Sequence, residues 1–201
     1  MIKFAAISPH PPLLMPDVGS SEDKNKVSKT LQSLEKLSAD FDVAKIDKLI
    51  ISSPHPEWGF DVPIYFIARK FKGEIKAFLT TPSSPKEHFE LGKTTAAQLK
   101  DGNYGLIASG DLSHYLSESG PYGFNAQGPK FDKALIEYLK NKDIEKILNL
   151  ENEFPEAGDC GLRSLAYVLG IITGSRGTKL NPQILSYEGP FGVGYLVAKL
   201  I

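Results

Sequence analysis

The tetrapeptide Ser-Pro-His-Pro occurs twice in the sequence and places two histidines, His10 and His55, in the same setting. The chain contains only four histidines, so half of them lie between prolines in this way. Each proline fixes its own φ at about −65° and keeps the preceding residue out of the helical region. A rigid backbone suits side chains that must be preorganised, and imidazole is the commonest metal ligand. We therefore predict that His10 and His55 share one metal ion.

A third histidine follows an apolar run in the same way. The runs and their histidines are Ile2 to Ile7 with His10, Leu49 to Ile51 with His55, and Tyr104 to Ala108 with His114. If these runs are parallel strands of one open sheet, their carboxyl ends lie on one edge, where ligand crevices form. We therefore expect the three imidazoles to meet in one crevice although they are distant in sequence.

A metal that binds two imidazoles generally needs an anionic ligand as well. The candidates are acidic side chains and the lone thiol: Glu57, Asp111, Glu156, Asp159, Cys160 and Glu188. The segment "FPEAGDCGLRSL" is the most suggestive, because Glu156 and Cys160 are four residues apart and share one face if the turn is helical. A thiol at a helix N-terminus also has a lowered pKa. The alternative is that Cys160 is a small buried apolar side chain.

Two further residues are assigned no chemistry. In "SPKEH", Ser84 is expected as an N-cap and Glu87 as its capping-box partner, so His88 is expected to belong to a helix start. Ser113 precedes His114, but adjacent side chains point in different directions and no nucleophile-elbow pattern surrounds the pair. A serine nucleophile therefore ranks below a metal site.

Short apolar runs predict the strands that must position these residues: Ile2 to Ile7, Leu49 to Ile51, Val62 to Ala68, Ile75 to Leu79, Tyr104 to Ala108, Ile184 to Tyr187 and Val193 to Leu200. Apolar residues at helical spacing predict helices over Ser21 to Leu37, His88 to Leu99, Phe131 to Leu148 and Leu162 to Ile172. The alternation predicts an α/β fold of three layers, with a mostly parallel central sheet and helices on both faces. The Gly-Pro turn in "SYEGPFGVGYL" predicts an antiparallel C-terminal hairpin.

The composition excludes several classes of partner. The 201 residues suit a single domain over residues 1–201, and 23 Lys plus Arg against 24 Asp plus Glu give no basic field for nucleic acid. No apolar run approaches the roughly 20 residues of a membrane span, and the start MIKFAAIS lacks the layout of a signal peptide. One cysteine allows no internal disulfide, so we expect a cytoplasmic protein without a membrane partner. A homo-oligomer is left open.

Four motifs in order, "AAISPHPPLL", "SSPHPE", "ASGDLSH" and "EAGDCGL", resemble the class III extradiol ring-cleavage dioxygenases. The protocatechuate-cleaving β-subunit is the type member of that family. The motifs also resemble the Memo family and the short proteins called AmmeMemoRadiSam system protein B. The match spans Ile7 to Tyr195, which is nearly the whole chain.

The dioxygenase resemblance implies a non-haem Fe(II) held by two histidines and a glutamate. Carried over to this sequence, His10 and His55 are the metal ligands and His114 is the acid/base. The ligand glutamate of the dioxygenase motif falls on Cys160, where Memo proteins also have a cysteine. We favour Cys160 as the third ligand and keep Glu156 as the alternative.

The expected chemistry is oxidative ring cleavage of a catecholic substrate with O₂. A site of two histidines and one anion leaves open positions for a bidentate catecholate and for O₂. His114 could then accept a catechol proton, and Asp111 could orient its ring. A thiolate in place of a carboxylate shifts the preference from Fe(II) towards Zn or Cu(I). The rival functions are therefore a Zn hydrolase with His114 as base, and a Memo-like metal-binding or peptide-binding protein without enzymatic activity.

Overall fold

The computed structural model describes all residues from 1 to 201 and shows an α/β fold. The strands are β1 (Ile2–Ser8), β2 (Lys48–Ser53), β3 (Glu74–Leu79), β4 (Tyr104–Ser109), β5 (Gln183–Glu188) and β6 (Tyr195–Lys199). The helices are α1 (Ser21–Lys26), α2 (Ser28–Ala44), α3 (Trp58–Ile67), α4 (Pro85–Gln98), α5 (Gln127–Asn141), α6 (Ile144–Glu153) and α7 (Leu162–Gly174). None of these helices combines the length and the apolar character that crossing a bilayer requires.

The six strands form one mixed sheet in the order β3-β2-β4-β1-β6-β5. The first four strands are parallel to one another, and Ile7 of β1 lies beside Ala108 of β4. Strand β6 runs antiparallel to β1, and β5 pairs antiparallel with β6. The mostly parallel sheet and the antiparallel C-terminal hairpin are therefore confirmed.

Helices cover both faces of the sheet, as the three-layer prediction requires. Successive side chains of a strand point to opposite faces, and β1 divides its residues accordingly. Phe4 and Ala6 belong to one buried cluster, which includes side chains of α2 and α3. Ala5 and Ile7 belong to the other, which includes side chains of α5, α6 and α7. Both faces of β1 are thus apolar because both are buried, which is typical of a parallel sheet.

One predicted strand is wrong. The run from Val62 to Ala68 lies within helix α3 and its C-cap instead. This run is apolar on every side, and a short apolar run of that kind does not distinguish a strand from a buried helix. Pro63 lies inside the helix and removes one backbone donor there, which matters for the site described below.

Two predicted helices are each divided into two. The segment from Ser21 to Leu37 contains α1 and the start of α2, and Val27 between them has φ −112° and ψ 20°. The segment from Phe131 to Leu148 contains α5 and α6, which are separated where Lys142 adopts a left-handed conformation with φ 59°. Apolar spacing continues across both breaks, so periodicity alone does not reveal them.

The N-terminus of α4 is built as predicted. The Ser84 hydroxyl accepts from the Glu87 N–H, and the Glu87 carboxylate accepts from the Ser84 N–H in return. The His88 ring is buried, and its Nε2 accepts from the Thr81 N–H at 3.2 Å. Its Nδ1 then donates to the Ser84 carbonyl at 2.9 Å. Both ring nitrogens are occupied, which fits a structural role.

Candidate metal centre

The three histidines that follow strands lie around one cavity. They come from the carboxyl ends of β1, β2 and β4, which are neighbours in the middle of the sheet. The cavity has a volume of about 380 Å³ and is lined by His10, Pro11, Pro12, His55, Trp58, Asp111, His114, Pro121, Tyr122, Val193 and Tyr195. Prolines and aromatic rings thus supply most of the wall, and three imidazoles and one carboxyl group are among its polar groups.

Donor atoms converge at this cavity in two overlapping groups. One ligand atom each from His10, His55 and Cys160 lie within 4.8 Å of one another. The same is true of one ligand atom each from Asp111, His114 and Cys160. Cys160 belongs to both groups, so its thiol is close both to the two proline-flanked histidines and to the pair formed by Asp111 and His114.

A chain of hydrogen bonds fixes the tautomer of His10. Pro63 has no N–H, so it gives no helical hydrogen bond to the carbonyl of Gly59, four residues earlier. The Ser109 hydroxyl donates to that carbonyl instead. Its single proton is then used, so Ser109 Oγ must accept from His10 Nδ1–H at 2.9 Å. His10 Nε2 therefore carries the lone pair that a metal ion needs.

His55 is held by its turn and by a neighbouring ring. Its backbone N–H donates to the Ser53 hydroxyl at 3.1 Å, and that hydroxyl donates to the His55 carbonyl at 2.9 Å. The imidazole stacks on the Trp58 indole with ring centroids 5.7 Å apart, and it lies 5.2 Å from the His10 ring. The second Ser-Pro-His-Pro motif thus presents its imidazole beside the first.

The loop after β4 is joined to the loop that carries Cys160. The Asp111 N–H donates to Cys160 Sγ at 3.2 Å, and the Asp111 carbonyl accepts from the Cys160 N–H at 3.2 Å. The two backbones touch, because a Cβ added at Gly110 would lie 2.2 Å from the Cα of Gly161. Only glycine fits this approach, and the approach brings the thiol to the histidines.

The pKa values of the site reflect its burial. Burial, together with the nearby His55 and His114, lowers the pKa of His10 to about 3, so this ring is neutral. Burial raises the pKa of Asp111 to about 7. The approach of His10 Nε2 to Asp111 Oδ2 at 3.9 Å is therefore not an ion pair.

The thiol does not behave as its place before α7 predicts. Burial and the charge of Asp111 raise the pKa of Cys160 well above its ordinary value. The helix N-terminus was expected to lower it, but the removal of the thiolate from water outweighs that effect. The expectation that Cys160 ionises readily is therefore wrong for the protein alone, and the approach of a cation would have to promote the loss of its proton.

His114 contributes a ring nitrogen that lacks a partner. Its Nε2 is buried and forms no hydrogen bond, which is rare for a buried polar atom. Its backbone N–H donates to the Gly158 carbonyl at 3.2 Å, and its ring stacks on Tyr122 with centroids 5.1 Å apart. Burial and the neighbouring His55 lower its pKa. His114 is therefore a neutral imidazole whose buried Nε2 has no hydrogen-bond partner in the protein.

Ser113 has a structural role. Its hydroxyl donates to the Ala157 carbonyl at 2.6 Å and accepts from the Tyr115 N–H at 3.0 Å. Its own N–H donates to the buried Asp132 carboxyl group at 2.8 Å. The hydroxyl is thus occupied, which agrees with the low rank given to a serine nucleophile.

Glu156 lies outside the cluster of donors. Its side chain is exposed and its Oε2 accepts from Asn125 Nδ2 at 3.2 Å and from Gln127 Nε2 at 3.4 Å. The segment before α7 consists of turns and bends, so the helical turn that would align Glu156 with Cys160 does not form. The structure brings Cys160 and not Glu156 to the histidines.

The remaining acidic candidates also lie elsewhere. Asp159 Oδ2 accepts from the Leu162 N–H at 2.7 Å at the start of α7. Glu188 Oε2 accepts from the N–H and the hydroxyl of Thr30, each at 2.8 Å. Glu57 is exposed beside α3. None of the three joins the donor groups at the cavity.

The residues at the cavity fit a metal ion. Zn–N bonds of about 2.0 Å and Zn–S bonds of about 2.3 Å at a tetrahedral angle place the two donors roughly 3.5 Å apart. His10 Nε2 and Cys160 Sγ lie 3.5 Å apart. A neutral imidazole with its lone pair exposed, a second imidazole beside it and a thiol form a donor set suited to a transition metal.

Several residues of the cavity were not found from the sequence. Trp58, Tyr122, Val193 and Tyr195 line its walls, and they come from α3, from the loop before α5 and from the C-terminal hairpin. Ser109 lies one residue beyond the predicted strand. Ser109 could have been found from its position at the carboxyl end of a predicted strand. The wall residues could not, because no sequence pattern marks them.

Comparison with known proteins identifies related chains. Residues 44–198 match the protein family described as "Catalytic LigB subunit of aromatic ring-opening dioxygenase". Protein CA_C1420 of Clostridium acetobutylicum is 30% identical over an alignment of 266 residues, which covers 96% of this chain and 56% of that protein. The chain thus spans little more than half the length of this curated relative.

A solved structure shares the fold. The crystal structure of the uncharacterized protein JW3007 from Escherichia coli K12 superposes with a TM-score of 0.63 and 16% sequence identity. The match covers 98% of this chain and 99% of the other. At this identity the likeness shows a common fold.

We predict that Ser109→Ala lowers the affinity for a bound metal by about 10-fold to 100-fold, the usual effect of removing a group that orients a ligand. Without the hydroxyl, His10 Nδ1–H has no acceptor and the ring loses its fixed tautomer. The measurement is competition with a chelator for Zn²⁺. Ser52→Ala is the matched control, because Ser52 is equally buried on β2 and bonds to Ser164 instead. Equal affinity in wild type and Ser109→Ala would contradict the role of this hydroxyl.

Proposed function

Because the chain belongs to the family of the catalytic LigB subunit of aromatic ring-opening dioxygenases, we propose that it is a metal-dependent oxidoreductase that opens a catechol-type ring with O₂. The observation that carries the proposal is the convergence of the His10, His55 and Cys160 donors at a cavity walled by aromatic rings. Fe(II) is the favoured metal. The substrate is a small aromatic molecule, and neither nucleic acid nor a membrane takes part.

His10, His55 and Cys160 would hold the metal in this proposal. Bound there, it would supply a Lewis acid with open positions at which a catecholate and O₂ meet. The protein's contribution is a rigid donor set, because Ser109 orients His10 and the turn after β2 orients His55. A donor set that is preorganised in this way needs little rearrangement when it binds its ligand.

His114 is proposed as the acid/base. Its Nε2 has no protein partner, and a neutral imidazole accepts a proton from a phenol and returns it later. The Tyr122 ring stacked on it keeps water from one face and fixes its plane. The Asp111 carboxyl group accepts from the backbone N–H of His10 at 3.1 Å and forms no hydrogen bond with the His114 ring, so it holds the His10 loop and does not orient His114 as expected from the sequence.

The walls suit a flat apolar ring. Trp58, Tyr122 and Tyr195 surround the imidazoles, and Pro11, Pro12 and Pro121 complete the lining. Aromatic rings stack or meet edge to face with a bound ring at a gain of about 0.5–1.5 kcal/mol per pair. The chemistry of the walls therefore agrees with an aromatic substrate.

A second candidate function rests on Cys160. A thiolate favours Zn or Cu(I) over the Fe(II) that O₂ chemistry uses, and this chain places a thiol where the dioxygenase motif has glutamate. The alternative is a Memo-like metal-binding protein, or a Zn hydrolase in which His114 activates water. Either version requires Cys160 to stay reduced, which also favours the cytoplasm.

The two functions are separated by metal analysis followed by turnover. Protein purified without air should contain a bound transition metal, and addition of air should consume O₂ with a panel of catechols. Ring opening measured by O₂ uptake and by the absorbance of the product supports the proposal. Retained Zn or Cu without O₂ uptake on any catechol contradicts ring opening and favours the second candidate.

The ligand assignment predicts which substitutions release the metal. His10→Ala, His55→Ala and Cys160→Ser should each remove most of the bound metal, because each deletes one of three donors. In the wild type, the Cys160 thiol should resist alkylation with the metal present and react after chelation and partial unfolding. Glu156→Gln is the matched control and should keep its metal, since Glu156 bonds to Asn125 and Gln127. Loss of metal only in Glu156→Gln would overturn the thiol assignment.

His114→Ala should retain the metal and lose turnover by about 10²-fold to 10⁴-fold, the usual contribution of a general acid or base. The reason is that His114 supplies a free nitrogen beside the cavity without belonging to the group formed by His10, His55 and Cys160. Metal content and O₂ uptake are measured on the same preparation. Metal loss equal to that of His10→Ala would instead make His114 a ligand.

A further inference from the structure

Strand β3 forms one edge of the sheet and is exposed along its length. Its only neighbour is β2, and every residue of β3 except the half-buried Phe78 is exposed. Two of the exposed side chains are large and apolar, since Ile75 is 41% and Leu79 is 49% exposed. An edge strand with exposed apolar side chains is a template for pairing with another strand.

The outer edge of β3 carries backbone groups without partners. The Thr80 N–H donates to the Ser53 carbonyl of β2 at 2.9 Å, so the even-numbered residues of β3 point their N–H and C=O groups towards β2. The backbone groups of Ile75, Ala77 and Leu79 therefore point away from the sheet, and none of them forms a hydrogen bond with another part of the chain.

The opposite edge of the sheet is protected, whereas β3 is not. Strand β5 has an irregular register between Ile184 and Ser186, and Glu188 at its end accepts from Thr30 of α2. Bulges and covering helices are common means by which proteins prevent edge strands from pairing. Strand β3 pairs with β2 in a regular register and contains no proline. Its edge is therefore open to a further strand.

The charges of β3 fit a second copy of the same strand. Lys76 lies in the middle of β3, and a lysine at an edge usually discourages pairing. In an antiparallel pair with Ile75 opposite Ile75 of the second copy, each Lys76 lies opposite a Glu74. A pair centred on Lys76 would oppose two lysines, and one centred on Ala77 would leave both charges unmatched. Only the first of these registers turns the lysine into a favourable contact.

The same register also uses the backbone and the apolar side chains. The two Ile75 residues exchange two hydrogen bonds, and Gly73, whose N–H and C=O form no backbone hydrogen bond within the chain, lies opposite Ala77 of the second copy. Phe78 stacks on Tyr167 of α7, so Ile75 and Ala77 point to the other face of the sheet. The two exposed Ile75 side chains therefore cover each other on that face.

We propose that the protein forms a symmetric dimer through β3. The two strands pair antiparallel, with Ile75 of each copy at the two-fold axis, and the two sheets of six strands become one sheet of twelve. Because the pairing is antiparallel, the carboxyl ends of β1, β2 and β4 in the two copies lie at opposite edges of the joined sheet. The two candidate metal centres thus open in opposite directions, and the dimer does not depend on the proposed function.

The mass of the protein in solution tests the dimer, measured by sedimentation and light scattering. The wild type should change from the mass of one chain to that of two as its concentration rises. Ala77→Pro should keep the mass of one chain, because proline removes the outward N–H and no bond to β2. Ala77→Val keeps that N–H and should behave as the wild type. A wild type with the mass of one chain at every concentration would overturn the inference and leave the edge to a strand of another protein.

Ile75→Cys tests the register without removing a backbone group. At the centre of the pair the two Cα atoms lie about 5.5 Å apart, within the range of a disulfide, so oxidised glutathione should cross-link two copies there. Leu79→Cys is the matched control, because Leu79 is equally exposed and the two residues 79 would lie about 27 Å apart. A non-reducing gel measures the dimer, with the wild type as background because Cys160 is present throughout. Equal cross-linking of both variants, or none with Ile75→Cys, would overturn the inference.

Exchange of the charges tests the match between Lys76 and Glu74. Lys76→Glu should weaken dimerisation by about tenfold, because it replaces two attractive cross-strand pairs by two repulsive ones. Addition of Glu74→Lys to that variant should restore the affinity of the wild type, since each pair is then attractive again. A double variant that dimerises as weakly as Lys76→Glu would contradict the proposed register.

Discussion

The geometry of the site depends on one backbone carbonyl that its own helix cannot satisfy. Pro63 has no N–H, so the carbonyl of Gly59 receives no helical hydrogen bond from it. The Ser109 hydroxyl at the end of β4 donates to this carbonyl instead. The Ser109 hydroxyl has only one proton, and it is used in this bond. Ser109 Oγ must therefore accept a hydrogen bond from His10 Nδ1–H and cannot donate to that nitrogen. A proline usually weakens a helix. Here the hydrogen bond that it leaves unmade fixes the tautomer of a histidine at the candidate metal centre through Ser109.

The second constraint is the contact between two loops at glycine. Gly110 and Gly161 approach so closely that no side chain fits between them, and the Asp111 N–H and carbonyl bond to the Cys160 loop at that point. A half-buried thiol next to a buried carboxyl group is unfavourable for charge on either. The arrangement persists because backbone hydrogen bonds hold the Asp111 loop against the Cys160 loop. The donor atoms of the candidate metal centre are consequently fixed before a ligand binds.

Much of the fold could be predicted from the sequence, because buried parallel strands are continuous apolar runs and six of the seven predicted strands exist. The seventh, Val62 to Ala68, belongs to a helix. It is apolar on every side, so its sequence has no periodic pattern that would distinguish a helix from a strand. The convergence of His10, His55 and His114 followed from their places after strands. The exposure of Glu156 could not be predicted, since it depends on turns before α7, and the tautomer of His10 depends on contacts between residues far apart in sequence.

The site divides into a buried part that is fixed and an outer part that is open. His10 is 2% exposed and held by Ser109, whereas Trp58 and Tyr122 are 40% and 58% exposed and are held mainly by stacking. Substitutions in the buried part would leave polar atoms without hydrogen-bond partners, which lowers the stability of the fold. Substitutions of the exposed rings would change only the shape and charge of the surface that a ligand contacts. Chains of one family can therefore share donors and differ in substrate. The outer walls, which offer aromatic faces and carboxyl groups and no lysine or arginine, are accordingly the part of the cavity that can select a ligand.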